Sequence, residues 1–338
     1  MYMDMIVPKT VYADCAASAP VLQCARDAMD VSLANPNSVH AMGRNARGFL
    51  EVARETIAKC INAEPGEIAF TPSATAACHI AIRGLDIDEC SPYEHKAVSE
   101  TLNDGWPFGA DFTYAHMLAN NETGELFYDK VKALSENYTV FTDATAAVGQ
   151  IPVDVKDLGV AALAAGGHKF GAFPGIGFLY VKGGITDEYT FPGTPPVALA
   201  MAMARALEYR TKHILESMEY LLSQRTALIL EIMKIPGAHI NCIHKDRLPN
   251  IVSVRFDGVN ARELLTMLDV NGVYASAGSA CTADSDEPSR VLLASGLTEE
   301  EALSTIRLSF CPETTPVEFV FVADALRRSV AQLRMLNK

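Results

Sequence analysis

Helix-like and strand-like segments alternate along the first two thirds of the 338-residue chain, and this alternation constrains its fold more than any single motif. Residues 46–62 have a helical pattern, and residues 67–71 predict a short strand followed by a turn that begins a second helix. Residues 138–142 predict a β-rich strand that ends at Asp143. Such alternation predicts an α/β layer with a mainly parallel sheet, in which ligands gather at the carboxyl ends of the strands.

The last third of the chain predicts a smaller α+β domain. Residues 197–234 have the pattern of one long helix, with a domain boundary within or near it, and residues 250–256 predict a strand. Three later helices begin with capping residues followed by an acidic residue. These starts are Asn260 with Glu263, Thr298 with Glu301, and Thr315 with Pro316 and Glu318.

Composition narrows the function further. The net charge of −13 argues against a nucleic-acid partner, because phosphate binding needs a basic face, and leaves room for a basic protein partner. No apolar run has the length of a membrane span, and the first ten residues lack the pattern of a signal peptide. The eight cysteines form no CxxC pair and no spacing typical of a metal site, so we expect free thiols in a reducing cytoplasm.

Lys169 is the first candidate for chemistry. It lies in the small and apolar stretch 164–170 and precedes a glycine-containing turn that leads into a strand. A desolvated lysine has a depressed pKa and can form a Schiff base with an aldehyde cofactor such as pyridoxal phosphate. The alternative is a surface lysine on a loop.

Three other features occur where pyridoxal phosphate would need them. Asp143 would place a carboxylate against the pyridine nitrogen, although an aspartate after a strand is commonly a cap or turn residue. The turn 73–75 precedes a helix and would hold a phosphate, or would serve as an ordinary N-cap. His95 would stack on the ring or would have no role in the chemistry.

Around these residues and in further blocks, the chain resembles a cysteine desulfurase of the nitrogen-fixation and iron–sulfur-assembly type, within the class V (fold type I) aminotransferases. The resemblance extends over residues 11–325. The matching blocks are 12–17 (YADCAA), 35–40 (NPNSVH), 70–75 (FTPSAT), 94–98 (EHKAV), 120–124 (NNETG), 143–145 (DAT), 168–169 (HK), 193–194 (GT), 278–281 (GSAC) and 306–309 (IRLS).

The resemblance implies a fold type I pyridoxal-phosphate-dependent transferase. Its large cofactor-binding domain would span residues 12–214 and contain a mainly parallel seven-stranded sheet. Residues 1–11 and 215–338 would form the small domain that carries the catalytic cysteine. The functional unit would be a homodimer.

The resemblance also implies the cofactor-binding residues. Lys169 would carry the cofactor and move the substrate α-proton, His95 would stack on the ring, and Asp143 would pair with the ring nitrogen. The phosphate would be held by Ala74, Thr75 and His168.

The remaining implied roles concern the substrate and the second subunit. Thr194 would reach the phosphate of the other subunit, Asn121 would contact the cofactor or substrate, and Arg307 would bind the substrate carboxylate through its guanidinium fork. Cys281 would attack the sulfur of L-cysteine as a thiolate and become a persulfide, releasing alanine. A small buried cysteine is the alternative for Cys281.

The chain departs from the family pattern around the expected cofactor. Ala146 occupies the position of the usual glutamine, and Gly166 occupies that of the usual serine. The usual arginine is missing from the segment 191–194, and a glycine-rich segment before it is absent.

Several functions therefore remain open. The leading one is a desulfurase that passes sulfur to an acceptor protein, for iron–sulfur clusters or tRNA thiolation. A selenocysteine lyase uses the same residues, whereas an aminotransferase would not need Cys281. Ala146 and Gly166 also leave open a degenerate relative that serves as a scaffold.

Overall fold

The chain folds into two compact units. The computed structural model describes residues 8–30, 34–103, 113–186, 192–278 and 287–336. The large unit comprises Ser18–Ala119 and Phe127–Ile214, and the small unit comprises Met1–Ala17, Asn120–Leu126 and Leu215–Lys338. By this division, the last segment of the large unit ends at Ile214, and residues 12–17 and 120–126 belong to the small unit. The bounds 12–214 for a large domain stay a prediction.

The helices and strands are numbered in chain order. The strands are β1 (Val11–Tyr12), β2 (Ile68–Thr71), β3 (Glu89–Cys90), β4 (Thr113–Ala115), β5 (Thr139–Asp143), β6 (Ala162–Gly166), β7 (Gly177–Val181), β8 (Ala238–Ile240), β9 (Ile251–Phe256), β10 (Val273–Tyr274) and β11 (Thr305–Ser309). The helices are α1 (Gln23–Asp27), α2 (Ala41–Cys60), α3 (Ala74–Gly84), α4 (Lys96–Asn103), α5 (Tyr128–Ser135), α6 (Val155–Leu158), α7 (Val197–Lys212), α8 (Ile214–Ile232), α9 (Ala261–Val270), α10 (Arg290–Ala294), α11 (Glu299–Leu303) and α12 (Pro316–Leu336). Short 3₁₀ turns are formed by Pro65–Glu67 and by Gly167–Lys169.

The large unit is built on one mixed sheet with the strand order β2-β7-β6-β5-β4-β3. The pairs β3–β4, β4–β5 and β5–β6 are parallel, and β7 is antiparallel to both of its neighbours. The mainly parallel sheet is thus confirmed, but the described residues form six strands in it and not the predicted seven. Every residue of β6 and β7 is buried, because a sheet of this kind is covered on both faces.

The small unit has the predicted α+β composition. Strands β11, β9 and β8 form an antiparallel sheet, and β1 pairs in parallel with β10. Its core joins Phe256 of β9 and Ile306 of β11 to Leu264 of α9 and Val322 of α12. Burial of these apolar side chains is the main term that stabilises such a unit.

The predicted single helix over 197–234 is wrong, because the chain forms two helices that are separated at His213. The N–H of His213 is directed to the carbonyls of Tyr209 and Arg210, so the last turn of α7 tightens instead of continuing. The two helices also serve different cores. Met203 of α7 is buried in the large unit, whereas Leu228 of α8 belongs to the small-unit core.

Helices α9 and α11 begin at the capping residues that the sequence predicts. Asn260 accepts hydrogen bonds from the first turn of α9, and Thr298 forms a complete capping box with Glu301 at the start of α11. No helix in the described ranges has both the length and the apolar character needed to cross a bilayer. All seven described cysteines are free thiols, and Cys281 lies outside the described residues.

Replacement of Thr298 by alanine should lower the free energy of unfolding by about 1 kcal/mol, because the N–H of Glu301 loses its capping acceptor. Denaturant titration measures this change. Thr266→Ala is the matched control, since it removes the same atoms from an exposed position inside α9. We expect the control to change stability by less than about 0.5 kcal/mol, and equal losses in both variants would contradict the capping role.

Candidate active site

The first turn of α3 offers backbone N–H groups for an anion. The hydroxyl of Ser73 accepts a hydrogen bond from the N–H of Ala76 at 3.1 Å and so caps the helix. The N–H groups of Ala74 and Thr75 belong to the first helical turn, which has no intrahelical acceptors. The positive end of the helix dipole favours a phosphate at this position.

Two glycines allow β6 and β7 to approach this turn. A Cβ on Gly177 would lie 2.9 Å from the nitrogen of Ala74 and 2.7 Å from the carbonyl oxygen of Ala165. A Cβ on Gly166 would lie 3.2 Å from the Cβ of Ala74 and 3.3 Å from Cε1 of His168. Both distances are shorter than ordinary van der Waals contact, so a side chain at position 166 would require its neighbours to shift slightly.

Asp143 and Lys169 lie at the carboxyl ends of two adjacent parallel strands, β5 and β6. Asp143 ends β5 and is 6% exposed, and its Oδ1 accepts a hydrogen bond from the N–H of Thr145 at 2.9 Å. Strand β6 ends at Gly166 and continues directly into the 3₁₀ turn that contains Lys169. Both residues thus lie at the carboxyl edge of the sheet, as the alternation of elements predicts.

His95 interacts electrostatically with both of these residues. Burial is the main cause that lowers the pKa of His95, the charge of Asp143 acts to raise it, and that of Lys169 lowers it further. The Nδ1 of His95 accepts a hydrogen bond from the N–H of Ala97 at 3.1 Å, so the proton of the neutral ring belongs on Nε2. Burial, followed by the charge of Lys169, lowers the pKa of His168 to about 4. Both imidazoles are therefore neutral at pH 7.

Glu94 is a part of this region for which the sequence offered no role. It is 3% exposed, and its Oε1 accepts hydrogen bonds from the Ser91 hydroxyl and the Met117 N–H, both at 2.6 Å. Burial in the first place, together with the charge of Asp143, raises the pKa of Glu94 to about 8. The carboxyl is thus protonated at neutral pH, and the proton belongs on Oε2, which is buried and has no hydrogen-bond partner among the described residues. Asp143 is then spared a second negative charge beside it.

Two further polar side chains near the sheet edge were not predicted. Gln150, four positions after Ala146, donates a hydrogen bond to the backbone carbonyl of Lys169 at 3.3 Å. The hydroxyl of Thr145, directly after Asp143 and Ala144, is buried and has no hydrogen-bond partner in the described part of the chain. A buried orphan hydroxyl of this kind is suited to a polar group of a bound molecule.

Arg307 and Asn121 lie together in the small unit. Arg307 is a residue of β11 and is 2% exposed. Its Nη2 lies 2.7 Å from the Asp14 carboxylate, and its Nη1 donates to the backbone carbonyl of Asn121 at 2.8 Å. Its Nε is buried and has no partner within the ranges that the structure describes. These contacts fix the plane of the guanidinium group and leave one buried N–H that can still be satisfied.

Thr194 and Cys281 complete the predicted set. Thr194 is exposed and follows Gly193, whose φ of +125° favours glycine. It lines a cavity of about 390 Å³ in the large unit, together with Arg54 and Phe70. Cys281 lies outside the described residues. Within the described part of the chain, no group of His, Cys, Asp and Glu is arranged to hold a metal ion.

The mixed sheet, with Asp143 and Lys169 at the ends of neighbouring strands and a helix N-terminus beside β6 and β7, has the architecture of the fold type I α/β enzymes. The chain belongs to the aminotransferase class-V family, whose sequence profile matches residues 11–101 and 113–319. The predicted family is therefore confirmed.

Comparisons with individual proteins are more specific than the match to the family. The chain is 32% identical to the cysteine desulfurase IscS of Dictyoglomus turgidum, and the alignment covers 97% of this chain and 96% of the relative. A solved NifS-like protein superimposes with a TM-score of 0.84 at 27% identity, covering 96% of this chain and all of the other. SspA, solved in complex with cysteine, superimposes with a TM-score of 0.74 at 28% identity, covering 90% of this chain and all of SspA.

Replacement of Gly177 by alanine should disturb the first turn of α3, where a phosphate is predicted, because the new Cβ would lie 2.9 Å from the Ala74 nitrogen. We expect the affinity for pyridoxal phosphate to fall about tenfold or more, with a stability loss of about 1–3 kcal/mol. Titration with the cofactor, followed by visible absorbance, measures the affinity. Gly48→Ala in α2 is the control, since an added Cβ there meets no atom within 4 Å. Unchanged cofactor affinity in the Gly177 variant would contradict the assignment.

The raised pKa of Glu94 predicts a pH-dependent stability. Between pH 4.5 and about 8 the folded chain retains a proton that an unfolded Glu94 releases, so this residue makes the free energy of unfolding fall as the pH rises. Glu94→Gln keeps a neutral group at all pH values. Its stability relative to the wild type should therefore increase between about pH 5 and about pH 8, as measured by denaturant titration.

Glu55→Gln provides the control for this experiment, because it makes the same substitution at an exposed position of α2. If the Glu94 variant shows no more pH dependence than the Glu55 variant, Glu94 is not protonated in the folded chain.

Proposed function

We propose that this chain is a pyridoxal-phosphate-dependent cysteine desulfurase, which converts L-cysteine to L-alanine and receives the sulfur as a persulfide on Cys281. The observation that carries the proposal is the position of Lys169, Asp143 and His95 at one edge of the sheet, with mutual electrostatic interactions. The full-length similarity to cysteine desulfurases supports the same substrate.

The residues of the large unit suit the cofactor. The N–H groups of Ala74 and Thr75, with His168, would hold the phosphate, and His95 would stack on the ring. Asp143 would pair with the ring nitrogen, and the protonated state of Glu94 supports this pairing because it leaves Asp143 as the nearby charged carboxylate. The bound cofactor supplies an electron sink for the negative charge that develops at the substrate Cα.

Lys169 would move the proton of the substrate. Its Nζ removes the proton from Cα and later returns a proton to the product. The hydrogen bond from Gln150 to the Lys169 carbonyl holds the backbone of this residue. The neutral states of His95 and His168 at pH 7 keep further positive charge away from the Lys169 amine, which must be uncharged to accept a proton.

The substrate carboxylate and sulfur are assigned to residues of the small unit. Arg307 would bind the carboxylate, and Asp14 and the Asn121 carbonyl hold the orientation of its guanidinium group in advance. Asn121 would contact the substrate or cofactor edge. The Cys281 thiolate attacks the sulfur of the substrate, so that a sulfur–sulfur bond forms as the Cβ–S bond breaks. Protonation of the remaining carbon skeleton gives alanine.

We also propose a cytoplasmic homodimer that passes its sulfur to an acceptor protein, for iron–sulfur clusters or tRNA thiolation. Thr194 would reach the phosphate bound in the second subunit, which is consistent with its exposure next to a large-unit cavity. The net charge of −13 suits a basic acceptor surface. The seven cysteines that the structure describes are free thiols, which suits a reducing compartment.

The decisive assay measures sulfide and alanine after L-cysteine and a reductant are added to the purified, cofactor-loaded protein. The wild type should show visible cofactor absorbance and form both products. Cys281→Ala should keep the absorbance and lose the sulfide, because the acceptor of the sulfur is gone. Cys24→Ala removes a partly buried thiol of α1 and is the control. It should keep the absorbance and form both sulfide and alanine.

The possible outcomes separate the alternatives. A lack of visible absorbance with added cofactor would contradict all of the enzyme functions. Alanine formation that does not depend on Cys281 would indicate a lyase of another kind. Faster turnover of selenocysteine, with the same residues required, would identify a selenocysteine lyase.

A further inference from the structure

Two cysteines from opposite ends of the chain meet in the small unit. Cys15 follows β1 and Cys311 follows β11, and both belong to segments of this unit. The N–H of Cys15 donates to the carbonyl of Ser309 at 3.1 Å, and Asp14 forms an isolated parallel bridge with the same serine. These backbone contacts hold the Cys15 segment beside the end of β11, two positions before Cys311.

The two thiols are buried and interact directly. Cys15 is 3% exposed, Cys311 is 6% exposed, and a side-chain hydrogen bond joins them. Cys15 is the donor, because this bond is the main cause that raises the pKa of Cys15 and the main cause that lowers the pKa of Cys311. The Thr314 hydroxyl lies 3.6 Å from Sγ of Cys311 and fixes this sulfur from the other side. Cys311 is therefore the sulfur with more thiolate character, which is the reactive form.

The pair lies only one residue below the surface. The side chain of Asp14, which precedes Cys15, is partly exposed, and Glu313 is exposed two positions after Cys311. The charges of both carboxylates act to raise the pKa of Cys15, so its proton stays in place while Cys311 reacts. A small local opening of these exposed neighbours admits a molecule as small as hydrogen peroxide.

We propose that Cys15 and Cys311 are a modification site, at which a hydroperoxide oxidises the two thiols to a reversible intramolecular disulfide. The contact between two buried thiols carries this proposal, since a disulfide needs its two sulfurs side by side. The site lies wholly in the small unit.

The oxidation proceeds in two steps. The Cys311 thiolate attacks one oxygen of hydrogen peroxide, so that a sulfur–oxygen bond forms as the oxygen–oxygen bond breaks and hydroxide leaves. The sulfur of Cys15 then attacks this oxidised sulfur. A sulfur–sulfur bond forms as the sulfur–oxygen bond breaks, and the second hydroxide leaves with the Cys15 proton as water. The two sulfurs lose two electrons, which the peroxide gains, and a dithiol reductant reverses the reaction by thiol–disulfide exchange.

The disulfide also changes the surroundings of Arg307, and this consequence rests on the proposed function. Asp14 directly precedes Cys15, and its carboxylate lies 2.7 Å from Nη2 of Arg307. A disulfide holds its sulfurs about 2.05 Å apart, which is closer than two thiols in contact. Its formation therefore shifts the Asp14 segment relative to β11, the strand that contains Arg307. The guanidinium group then loses the orientation that suits a substrate carboxylate.

The test uses the cofactor-loaded Cys281→Ala protein, because this substitution removes the thiol to which the proposed function assigns the sulfur. After treatment with hydrogen peroxide and alkylation of the remaining thiols, mass spectrometry of the digest should detect a peptide pair linked through Cys15 and Cys311. On a non-reducing denaturing gel the oxidised chain should migrate faster, since the disulfide closes nearly the whole chain into a loop. Dithiothreitol should reverse both changes.

Three variants in the same background provide the controls. Cys15→Ser and Cys311→Ser should each abolish the change in mobility, and either one decides the matter if the other does not fold. Cys242→Ser should retain the change. Cys242 is the matched control because it is another cysteine of the small unit that is at least partly buried and a free thiol.

Binding of L-alanine measures the consequence for Arg307. Alanine carries the α-carboxylate and has no thiol that could reduce the disulfide. Titration of the Cys281→Ala protein, followed by the cofactor absorbance, should give a Kd for alanine about threefold or more higher after oxidation, because a displaced guanidinium group binds the carboxylate less well. The added Cys242→Ser substitution should leave this rise intact, whereas added Cys15→Ser should abolish it.

Absence of the linked pair after peroxide treatment, or the same mobility change in Cys15→Ser and Cys311→Ser, would overturn the modification site. An unchanged Kd for alanine in protein that is fully linked at this pair would overturn the effect on Arg307. Failure of the proposed function looks different. Added cofactor would then give no visible absorbance, while the linked pair would still form.

Discussion

The close approach of α3 to strands β6 and β7 is the contact on which the candidate site depends. Gly177 and Gly166 leave no Cβ between the sheet and the first turn of the helix, so the Ala74 nitrogen lies directly against β7. The strand that ends at Gly166 passes at once into the turn of Lys169. One packing contact therefore positions both the N-terminus of α3 and Lys169. This contact requires small residues on the helix and on the strands.

Burial then sets the charges in the site. The large unit excludes water from Glu94, His95 and His168, and in each of them desolvation is the largest cause of the pKa shift. Each group is thereby kept in its neutral form at pH 7. Asp143 remains as the acceptor of a backbone hydrogen bond at the end of β5. A site with one prominent carboxylate and neutral neighbours is suited to a ring that must stay protonated on its nitrogen.

Much of this arrangement could be predicted from sequence, because local patterns encode it. An apolar run that ends in Asp143 predicts a buried strand and its carboxyl end, and Thr298 with Glu301 predicts a helix start. The separation of α7 from α8 could not be predicted, since neither glycine nor proline marks His213 and the cause is packing in different units. The role of Glu94 depends on burial by segments distant in sequence. The pair Asp14–Arg307 joins residues 293 positions apart, which no local pattern can reveal.

That distant pair has a consequence for the synthesis of the chain. The small unit combines the segments Met1–Ala17 and Asn120–Leu126 with Leu215–Lys338, so strand β1 must wait for β10, the strand with which it pairs, to be made. At about 5–20 residues per second, the 293 positions between Asp14 and Arg307 correspond to a wait of about 15–60 s on the ribosome. All segments of the large unit are complete by Ile214 and are available earlier. Asp14 is thus synthesised long before Arg307 and can reach its native contact only after Arg307 has been added to the chain.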